Sequence, residues 1–307
     1  MRHLRRTAHP GGFRLLPILI GLLVATASLA VACGEEEGAP EAALKVVSST
    51  EVLADLVRPV AGERAQVIAL VPSGADPHTY EPVPSQVVDI TQADLLLLNG
   101  LGLEETLIDV IKSNVRSGVP VIEMSAGLPV LDAGGQGTGN PHLWLNVRYA
   151  MHYVEVARDA LIDVDPEGGD EYRANAQEYL ADLAELDQEV EEAIASIPAE
   201  RRKLVTFHDA FPYLAERYGL EVVGVVVRSP GREPSAGDVA DLARKISAED
   251  VPAVFKEPQF SARVLELAAE DAGVEVCTLY TDALQGEVDT YIELMQHNAD
   301  ELVRCLS

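Results

Sequence analysis

The sequence predicts an α/β protein with two similar parallel-sheet lobes joined by one long, rigid helix. Three observations support this prediction. Short apolar strand patterns alternate with helical patterns over residues 44–166, an uninterrupted amphipathic pattern covers residues 167–197, and a second alternating series fills residues 198–307. Because strands that alternate with helices usually pair in parallel, each alternating series is expected to form one sheet with helices packed against it.

The first lobe, residues 44–166, is predicted from its apolar periodicity. Val52, Leu56 and Val60, for example, recur with the four-residue spacing of one helix face. Strand patterns occupy residues 44–47, 66–71, 94–98 and 120–124, and helical patterns lie near residues 52–60, 84–91 and 103–114.

The connecting helix is predicted because apolar residues recur every three or four positions from Tyr172 to Ile194. A continuous helix of this length would span about 40 Å and would limit hinge motion more than a flexible linker does. Pro198 follows the helix and marks its end. The second lobe then has strand patterns at residues 204–207, 221–227, 253–255 and 275–280, with helical patterns near residues 210–218, 237–246 and 262–272.

The N-terminus has the features of an export signal, residues 1–32. Arginines precede an uncharged apolar stretch at residues 15–32, and acidic residues begin at Glu35. An uncleaved membrane-spanning helix is the alternative. However, the stretch ends in small residues before Cys33, which resembles the lipobox of lipoprotein precursors. We therefore expect a lipid on Cys33, an acidic tether over residues 33–43, and anchoring at the outer face of the cytoplasmic membrane or in a periplasm.

The charge of the chain excludes one class of partner. There are 50 acidic residues against 23 basic residues, which gives a formal net charge of -27. A surface this negative repels nucleic acid, so we do not expect a nucleic-acid-binding protein.

Two cysteines remain beyond Cys33, namely Cys277 and Cys305. In an exported protein the environment is oxidising, so this pair is predicted to form a disulfide rather than a zinc site. Two buried free thiols are the alternative.

Three histidines and one aspartate stand at positions typical of a ligand site. His78, His208 and Asp282 each follow a predicted strand, and His142 lies in a Pro-containing loop of the first lobe. Ligands of parallel sheets bind outside the carboxyl ends of the strands. Three imidazoles and one carboxylate form a complete tetrahedral set for zinc, although each residue singly also has a structural interpretation as a loop histidine or a helix cap. The other two histidines beyond the export signal are expected to be structural: His152 and His297.

Four motifs in order resemble a known family. They are GADPHTYEP at residues 74–82, NPHLWL at 140–145, FHDAFPYLAERYGL at 207–220 and KEPQFS at 256–261. Together they resemble the cluster 9 solute-binding lipoproteins, which bind zinc or manganese for ABC importers. The resemblance implies a metal-type periplasmic binding protein fold, with one divalent ion in the cleft between the lobes, delivery to an ABC permease, and a monomer. It also implies four metal ligands: His78, His142, His208 and Asp282.

The departures from that family concern the choice of ion. Asn140 and Asn146 stand where aspartates flank this histidine in many relatives, and the Gly-rich residues 131–139 lack the His-rich insertion of many zinc-specific members. At the third ligand, His208 offers a nitrogen where some manganese-binding relatives have Glu. Nitrogen-rich tetrahedral sites suit zinc, so zinc is the first expectation and manganese the second.

The predicted function is metal capture and delivery, without enzymatic activity. A zinc metallohydrolase is one alternative, because three histidines and an open position can hold an activated water. A fourth protein ligand argues against it, since it closes the coordination sphere. An adhesin-type surface lipoprotein is the other alternative, but no segment resembles a dedicated adhesive module.

Overall fold

The structure, a computed structural model, describes residues 43–132, 139–227 and 235–307. The predicted export signal, Cys33 and all but the last residue of the predicted tether lie outside these ranges, as does the greater part of the Gly-rich segment. Within these ranges, no helix is both long and apolar enough to cross a membrane.

Two α/β lobes with parallel sheets are present, which confirms the predicted fold class. The strands of the first lobe lie in the order β2-β1-β3-β4, and all neighbours pair in parallel. The elements of this lobe are β1 (Leu44–Thr50), α1 (Glu51–Ala61), β2 (Ala65–Val71), α2 (Pro84–Gln92), β3 (Leu95–Leu98), α3 (Glu105–Asn114) and β4 (Val121–Glu123).

Two helices follow and lead to the second lobe: α4 (Val147–Val164) and α5 (Gly169–Ala195). The second sheet has the order β6-β5-β7-β8, which repeats the topology of the first. Its elements are β5 (Lys203–His208), α6 (Pro212–Tyr218), β6 (Glu221–Val227), α7 (Ala236–Ala248), β7 (Ala253–Lys256), α8 (Arg263–Ala272) and β8 (Glu275–Thr278), and α9 (Tyr291–Leu306) ends the chain.

The long helix α5 has the periodicity that predicted it. Its apolar stripe is buried from Tyr172 to Ile194, and Asp170 and Glu171 lie in the first turn, where they complement the helix dipole. At 1.5 Å per residue, a helix of 27 residues is about 40 Å long. Helices α1, α4 and α9 pack along it, so helices from both lobes contact α5.

Two helices, α9 and α4, have bounds that the sequence patterns did not predict, and α4 is the longer of the two. Asn146 begins α4 by accepting a hydrogen bond from the backbone N–H of Arg148. Ala150, Tyr153 and Ala157 then form part of a buried face that packs beside α5. The three- and four-residue spacing of this face is also visible in the sequence.

One continuous cluster of buried hydrophobic side chains spans both lobes and α5, from Val46 to Leu306. Polar contacts reinforce it on α5, where Asp187 accepts hydrogen bonds from Arg148 of α4 (3.0 Å) and Arg217 of α6 (2.6 Å). Moving the lobes apart would expose this cluster to water, so the core favours small motions over a wide hinge.

The predicted disulfide is present and joins Cys277 of β8 to Cys305 of α9. It closes a loop with a sequence separation of 28 residues and attaches the C-terminal helix to the edge strand of the second sheet. The two free thiols considered as an alternative are thus not what the structure contains.

Replacing both Cys277 and Cys305 by alanine should lower the free energy of unfolding by roughly 3 to 4 kcal/mol, because the unfolded chain regains the entropy of an open loop. Urea unfolding of the two proteins measures this difference. Dithiothreitol should destabilise the unmodified protein and leave the double variant unchanged. Equal unfolding midpoints for the two proteins would show that the disulfide does not contribute.

Candidate metal centre

Four side chains from both lobes converge outside the carboxyl ends of the two sheets. His78 follows β2, His208 is the last residue of β5, and Asp282 lies shortly after β8. His142 immediately precedes a short 3₁₀ helix, Leu143–Leu145. One nitrogen or oxygen atom from each of the four side chains lies within 4.8 Å of the others. The structure therefore brings together all four residues that were predicted as ligands.

His78 is presented by a turn that Asp76 stabilises. The Asp76 carboxylate accepts hydrogen bonds from the backbone N–H of His78 (3.0 Å) and from the hydroxyl of Thr79 (2.7 Å). The His78 side chain is 15% exposed, whereas those of the other three are at most 3% exposed. His78 thus lies at the side of the site nearest to solvent.

His142 is oriented by Asn140. The side-chain oxygen of Asn140 accepts a hydrogen bond from the backbone N–H of His142 (3.1 Å) and lies 2.8 Å from Nδ1 of His142. Nδ2 of Asn140 donates to the carbonyl of Asp209 (2.5 Å). Because an amide oxygen can only accept, the ring proton sits on Nδ1 and the lone pair of Nε2 is free. Asn140 therefore fills the role of an orienting carboxylate, whereas Asn146 caps α4 and has no such role.

Glu257 contacts His208 on the side of the ring away from the other ligands. The sequence predicted no role for this glutamate. Nδ1 of His208 lies 2.6 Å from Oε2 of Glu257, and the backbone N–H of His208 donates to Oε1 at 3.2 Å. Neither side chain is exposed. In the neutral ring the carboxylate favours the proton on Nδ1, so Nε2 is the nitrogen that can bind a cation once it has lost its own proton. Glu257 directly follows β7, so the strand-end rule that selected His208 and Asp282 would have found it as well.

Asp282 is a buried carboxylate that lacks a hydrogen bond. The residue is 2% exposed, and neither carboxylate oxygen has a hydrogen-bond partner within the described part of the chain. Its neighbour Thr281 is fixed, because the Thr281 carbonyl accepts from Nε1 of Trp144 at 3.0 Å. Burying a carboxylate without a partner is costly, and a bound cation would supply the partner. The residues present thus fit a cation.

The distances among the four groups match one small coordination sphere. Nε2 of His142 lies 3.2 Å from Nε2 of His78 and 3.1 Å from Nε2 of His208. Oδ1 of Asp282 lies 3.4 Å from Nε2 of His142, and Oδ2 lies 3.5 Å from Nε2 of His208 and 3.8 Å from Nε2 of His78. Ligand atoms about 2.0–2.1 Å from a tetrahedral zinc ion are separated by about 3.3–3.4 Å. The observed separations scatter around this value, so a single ion can contact all four groups.

Hydrogen bonds between the lobes flank the site. Asn140 donates to the Asp209 carbonyl, and its own carbonyl accepts the hydroxyl of Tyr213 at 2.7 Å. On the other flank, Trp144 donates to the Thr281 carbonyl. These bonds fix the ligand-bearing segments of the two lobes relative to each other, so the site is largely formed in advance.

Burial and charge set different pKa values within the group. Burial lowers the pKa of His78 to about 3 and that of His142 well below its ordinary value, and the charge of His208 adds to both effects. Burial also acts to lower the pKa of His208, but the Glu257 carboxylate outweighs it and raises that pKa to about 9. Burial raises the pKa of Asp282 to about 7, against the opposing effect of His208. At neutral pH His208 in the metal-free site is therefore protonated. The Asp282 carboxyl is then close to its pKa and is protonated in only part of the molecules.

The affinity for metal should depend on pH, because the ion must displace these protons. A cation displaces the proton of His208 at any pH below about 9 and that of Asp282 below about 7. We therefore expect the apparent affinity to fall about tenfold per pH unit between pH 9 and 7, and about 100-fold per unit below pH 7. Calorimetry in buffers of different ionisation enthalpy should detect between one and two protons released per ion at pH 7. An affinity that is constant above pH 7 would contradict this, since it would mean that all ligands have ordinary pKa values.

The two histidines expected to be structural lie elsewhere. Nε2 of His152 contacts the carbonyl of Ala126 at 3.0 Å, and Nε2 of His297 contacts the carbonyl of Thr278 at 3.3 Å. Neither joins the group of four. Both are therefore suitable controls for histidine substitutions in the site.

The chain is similar over most of its length to proteins of one family. A family model described as "Zinc-uptake complex component A periplasmic" matches residues 46–305. The manganese-binding lipoprotein MntA of Halalkalibacterium halodurans is 38% identical over 293 residues, which cover 93% of this chain and 97% of that protein. The iron-binding protein YfeA of Yersinia pestis is 33% identical, with 85% of each chain covered.

Solved structures show the same relationship. The periplasmic zinc-binding protein TroA from Treponema pallidum superposes with a TM-score of 0.81 at 30% identity, covering 86% of this chain and 99% of that chain. A manganese-bound periplasmic metal-binding protein from Candidatus Liberibacter asiaticus gives a TM-score of 0.78 at 27% identity, covering 86% of this chain and 100% of that chain. The named metals of these relatives thus include zinc, manganese and iron.

Proposed function

Because the chain belongs to the family of periplasmic zinc-uptake complex A components, matched over residues 46–305, we propose that it captures a divalent metal ion and delivers it to the permease of an ABC importer. The observation that carries this proposal is the convergence of three imidazole nitrogens on a buried carboxylate that lacks hydrogen bonds. Relatives named as a manganese-binding lipoprotein and as a substrate-binding lipoprotein of a manganese ABC transporter support it.

The ligands in this proposal are His78, His142, His208 and Asp282. Zinc is the proposed cargo, because three nitrogens and one oxygen in a tetrahedral arrangement suit zinc better than manganese. Manganese is the second candidate, since relatives named for manganese are prominent among the similar proteins. Three ligands are fully buried and His78 is the most accessible, so the ion is proposed to enter and leave past His78.

The metallohydrolase alternative fits the site less well. A catalytic zinc keeps a position open for water, whereas four protein groups here lie close enough together to bind one ion. Substrate would also need access to the ion, and only the His78 side chain is appreciably exposed among the four. Capture and delivery of an ion require neither a metal-bound water nor a substrate pocket.

Metal content and titration test the proposal directly. The protein, purified without chelator, should contain close to one equivalent of a divalent transition metal by plasma mass spectrometry. After stripping with a chelator, it should bind one equivalent of zinc and hydrolyse neither ester nor phosphoester substrates. Absence of tight binding by the stripped protein, or turnover by the zinc-loaded protein, would overturn the proposal.

The proposed location is the outer face of the cytoplasmic membrane or a periplasm, with lipid on Cys33. A Cys33→Ser variant expressed in a bacterium should move from the membrane fraction to the soluble fraction, because a thiol is needed for lipid attachment. Immunoblots of the two fractions measure this. Retention of the variant in the membrane would favour an uncleaved helix at residues 15–32 instead.

A further inference from the structure

We propose that Glu257 is the positioning residue of this site: it fixes both proposed ligands of the second lobe and supplies the second negative charge that balances a divalent ion. This inference rests on the proposed metal-binding function. It goes beyond that function because it assigns specificity and ligand geometry to a residue that does not contact the ion.

Contacts of Glu257 reach both ligand-bearing segments. It contacts His208 twice, at Nδ1 (2.6 Å) and at the backbone N–H (3.2 Å). Its Oε2 also accepts the hydroxyl of Thr281 at 2.6 Å, and Thr281 directly precedes Asp282. Gln259 completes the group by donating to the Thr281 hydroxyl at 2.8 Å. One carboxylate thus connects the end of β5 to the segment after β8.

The first consequence concerns orientation. Because Nδ1 of His208 lies 2.6 Å from the Glu257 carboxylate, only Nε2 of this ring is available to the ion. Thr281 carries this restraint further, because its carbonyl accepts from Trp144 of the first-lobe loop that holds His142. Loss of Glu257 would therefore loosen His208 directly and Asp282 through Thr281.

The second consequence concerns charge. Three neutral imidazoles contribute no net charge, and Asp282 alone balances one of the two positive charges of a divalent ion. Glu257 and Asp282 are completely buried and together balance both, whereas Asp76, whose charge also acts on His208 and Asp282, is partly exposed. A net charge is costly in such surroundings, so the pair of carboxylates favours a doubly charged cation.

A matched control exists in the first lobe. Glu104 is 3% exposed and Glu257 is 1% exposed, so the two glutamates are equally buried. The carboxylate of Glu104 accepts hydrogen bonds from Ser49, Asn99 and Gly100. None of these is a proposed ligand. A Glu104→Gln variant thus makes the same chemical change at similar burial without removing a contact to a ligand, since Glu104 is connected to His142 only through Asn99, which donates to the Pro141 carbonyl at 2.9 Å.

Zinc affinity measured by competition with a chelator tests the inference in the full chain. Glu257→Gln keeps the volume and an acceptor oxygen but removes the charge, and it should weaken zinc binding about 10- to 100-fold. Glu257→Leu removes the acceptor as well and should weaken it further, while Glu104→Gln should bind zinc like the unmodified protein. Nitrogen-15 NMR of the zinc-loaded proteins provides a readout that a merely structural role would not change: His208 should coordinate through Nε2 in the unmodified protein and show mixed coordination in Glu257→Leu.

The outcomes distinguish the inference from the proposed function. If the unmodified protein binds no zinc or other divalent metal, the proposed function fails and the inference with it. If the unmodified protein binds zinc and both Glu257 variants bind it within about threefold, a range far below the expected loss, the inference alone is wrong. Equal losses in Glu257→Gln and Glu104→Gln would also overturn it. Should the Glu257 variants not fold, Thr281→Val removes one of the contacts, and unchanged zinc affinity in that variant would refute the proposed link to Asp282.

Discussion

Replacing Asp282 by alanine is expected to weaken zinc binding by about 100-fold or more and to stabilise the metal-free protein. Zinc sites of four protein ligands contribute about 10–16 kcal/mol, so each ligand accounts for about 3 kcal/mol, which corresponds to roughly a hundredfold change in affinity. The stabilisation has a separate cause. The Asp282 carboxylate is buried without a hydrogen bond in the described structure, and removing such a group relieves about 1–3 kcal/mol of desolvation cost.

Asp187 provides the matched control for this prediction. It is also a buried aspartate, at 7% exposed, but it accepts hydrogen bonds from Arg148 and Arg217. Asp187→Ala should therefore have the opposite profile: unchanged zinc affinity and a metal-free protein that is destabilised by about 3–5 kcal/mol. Chelator competition gives the affinities, and chemical unfolding of the stripped proteins gives the stabilities. Unchanged zinc affinity in Asp282→Ala would remove Asp282 from the site.

The unmodified protein is expected to bind zinc more tightly than manganese, by about tenfold at least, because manganese lies below zinc in intrinsic affinity for nitrogen-rich sites and prefers more oxygen ligands. Calorimetry on the stripped protein with each ion, and with manganese displaced by zinc, measures the ratio. Tighter binding of manganese than of zinc would overturn the zinc assignment. The affinity ratio describes the site, whereas the ion carried in the cell also depends on which metals are available.

Changing His208 to glutamate should lower the ratio of zinc affinity to manganese affinity, because it replaces a nitrogen donor with an oxygen donor. The structure shows why this change alone is a poor test. Glu257 lies 2.6 Å from His208 Nδ1, so a second carboxylate at position 208 would face a buried like charge. We therefore expect His208→Glu to weaken the binding of both ions and the double variant His208→Glu with Glu257→Gln to recover manganese binding. A zinc-to-manganese ratio unchanged in the double variant would show that this ligand does not determine the preference.

Much of the fold could be predicted because it depends on local sequence patterns. Short apolar runs alternating with helical periodicity identify the βαβ units, and the buried stripe from Tyr172 to Ile194 identifies α5. The bounds of α4 were not predicted although its buried face has the same periodicity, because three of its seven buried residues are alanines, which add less to an apolar pattern than larger side chains do.

The four site residues were also accessible from the sequence. His78, His208 and Asp282 follow strands, and the parallel topology places the carboxyl ends of the strands on the side where ligands bind. Glu257 satisfies the same rule after β7 and was missed because a glutamate after a strand is a weak signal without its neighbour. What distinguishes it is its contact with His208, which is 49 residues away in the chain.

By itself, the sequence determined the two lobes, the long helix and the identity of the four residues that converge, since these follow from periodicity, strand ends and motif order. The tertiary structure alone decided how those residues are arranged. It set Nδ1 of His142 against Asn140 and Nδ1 of His208 against Glu257, left Asp282 without a hydrogen bond, and paired Cys277 with Cys305 where free thiols had remained an alternative. The physical reason is that tautomers, burial costs and disulfide pairing are set by atoms within a few ångströms of one another, and most of these atoms, such as those of His208 and Glu257, come close only when the chain folds.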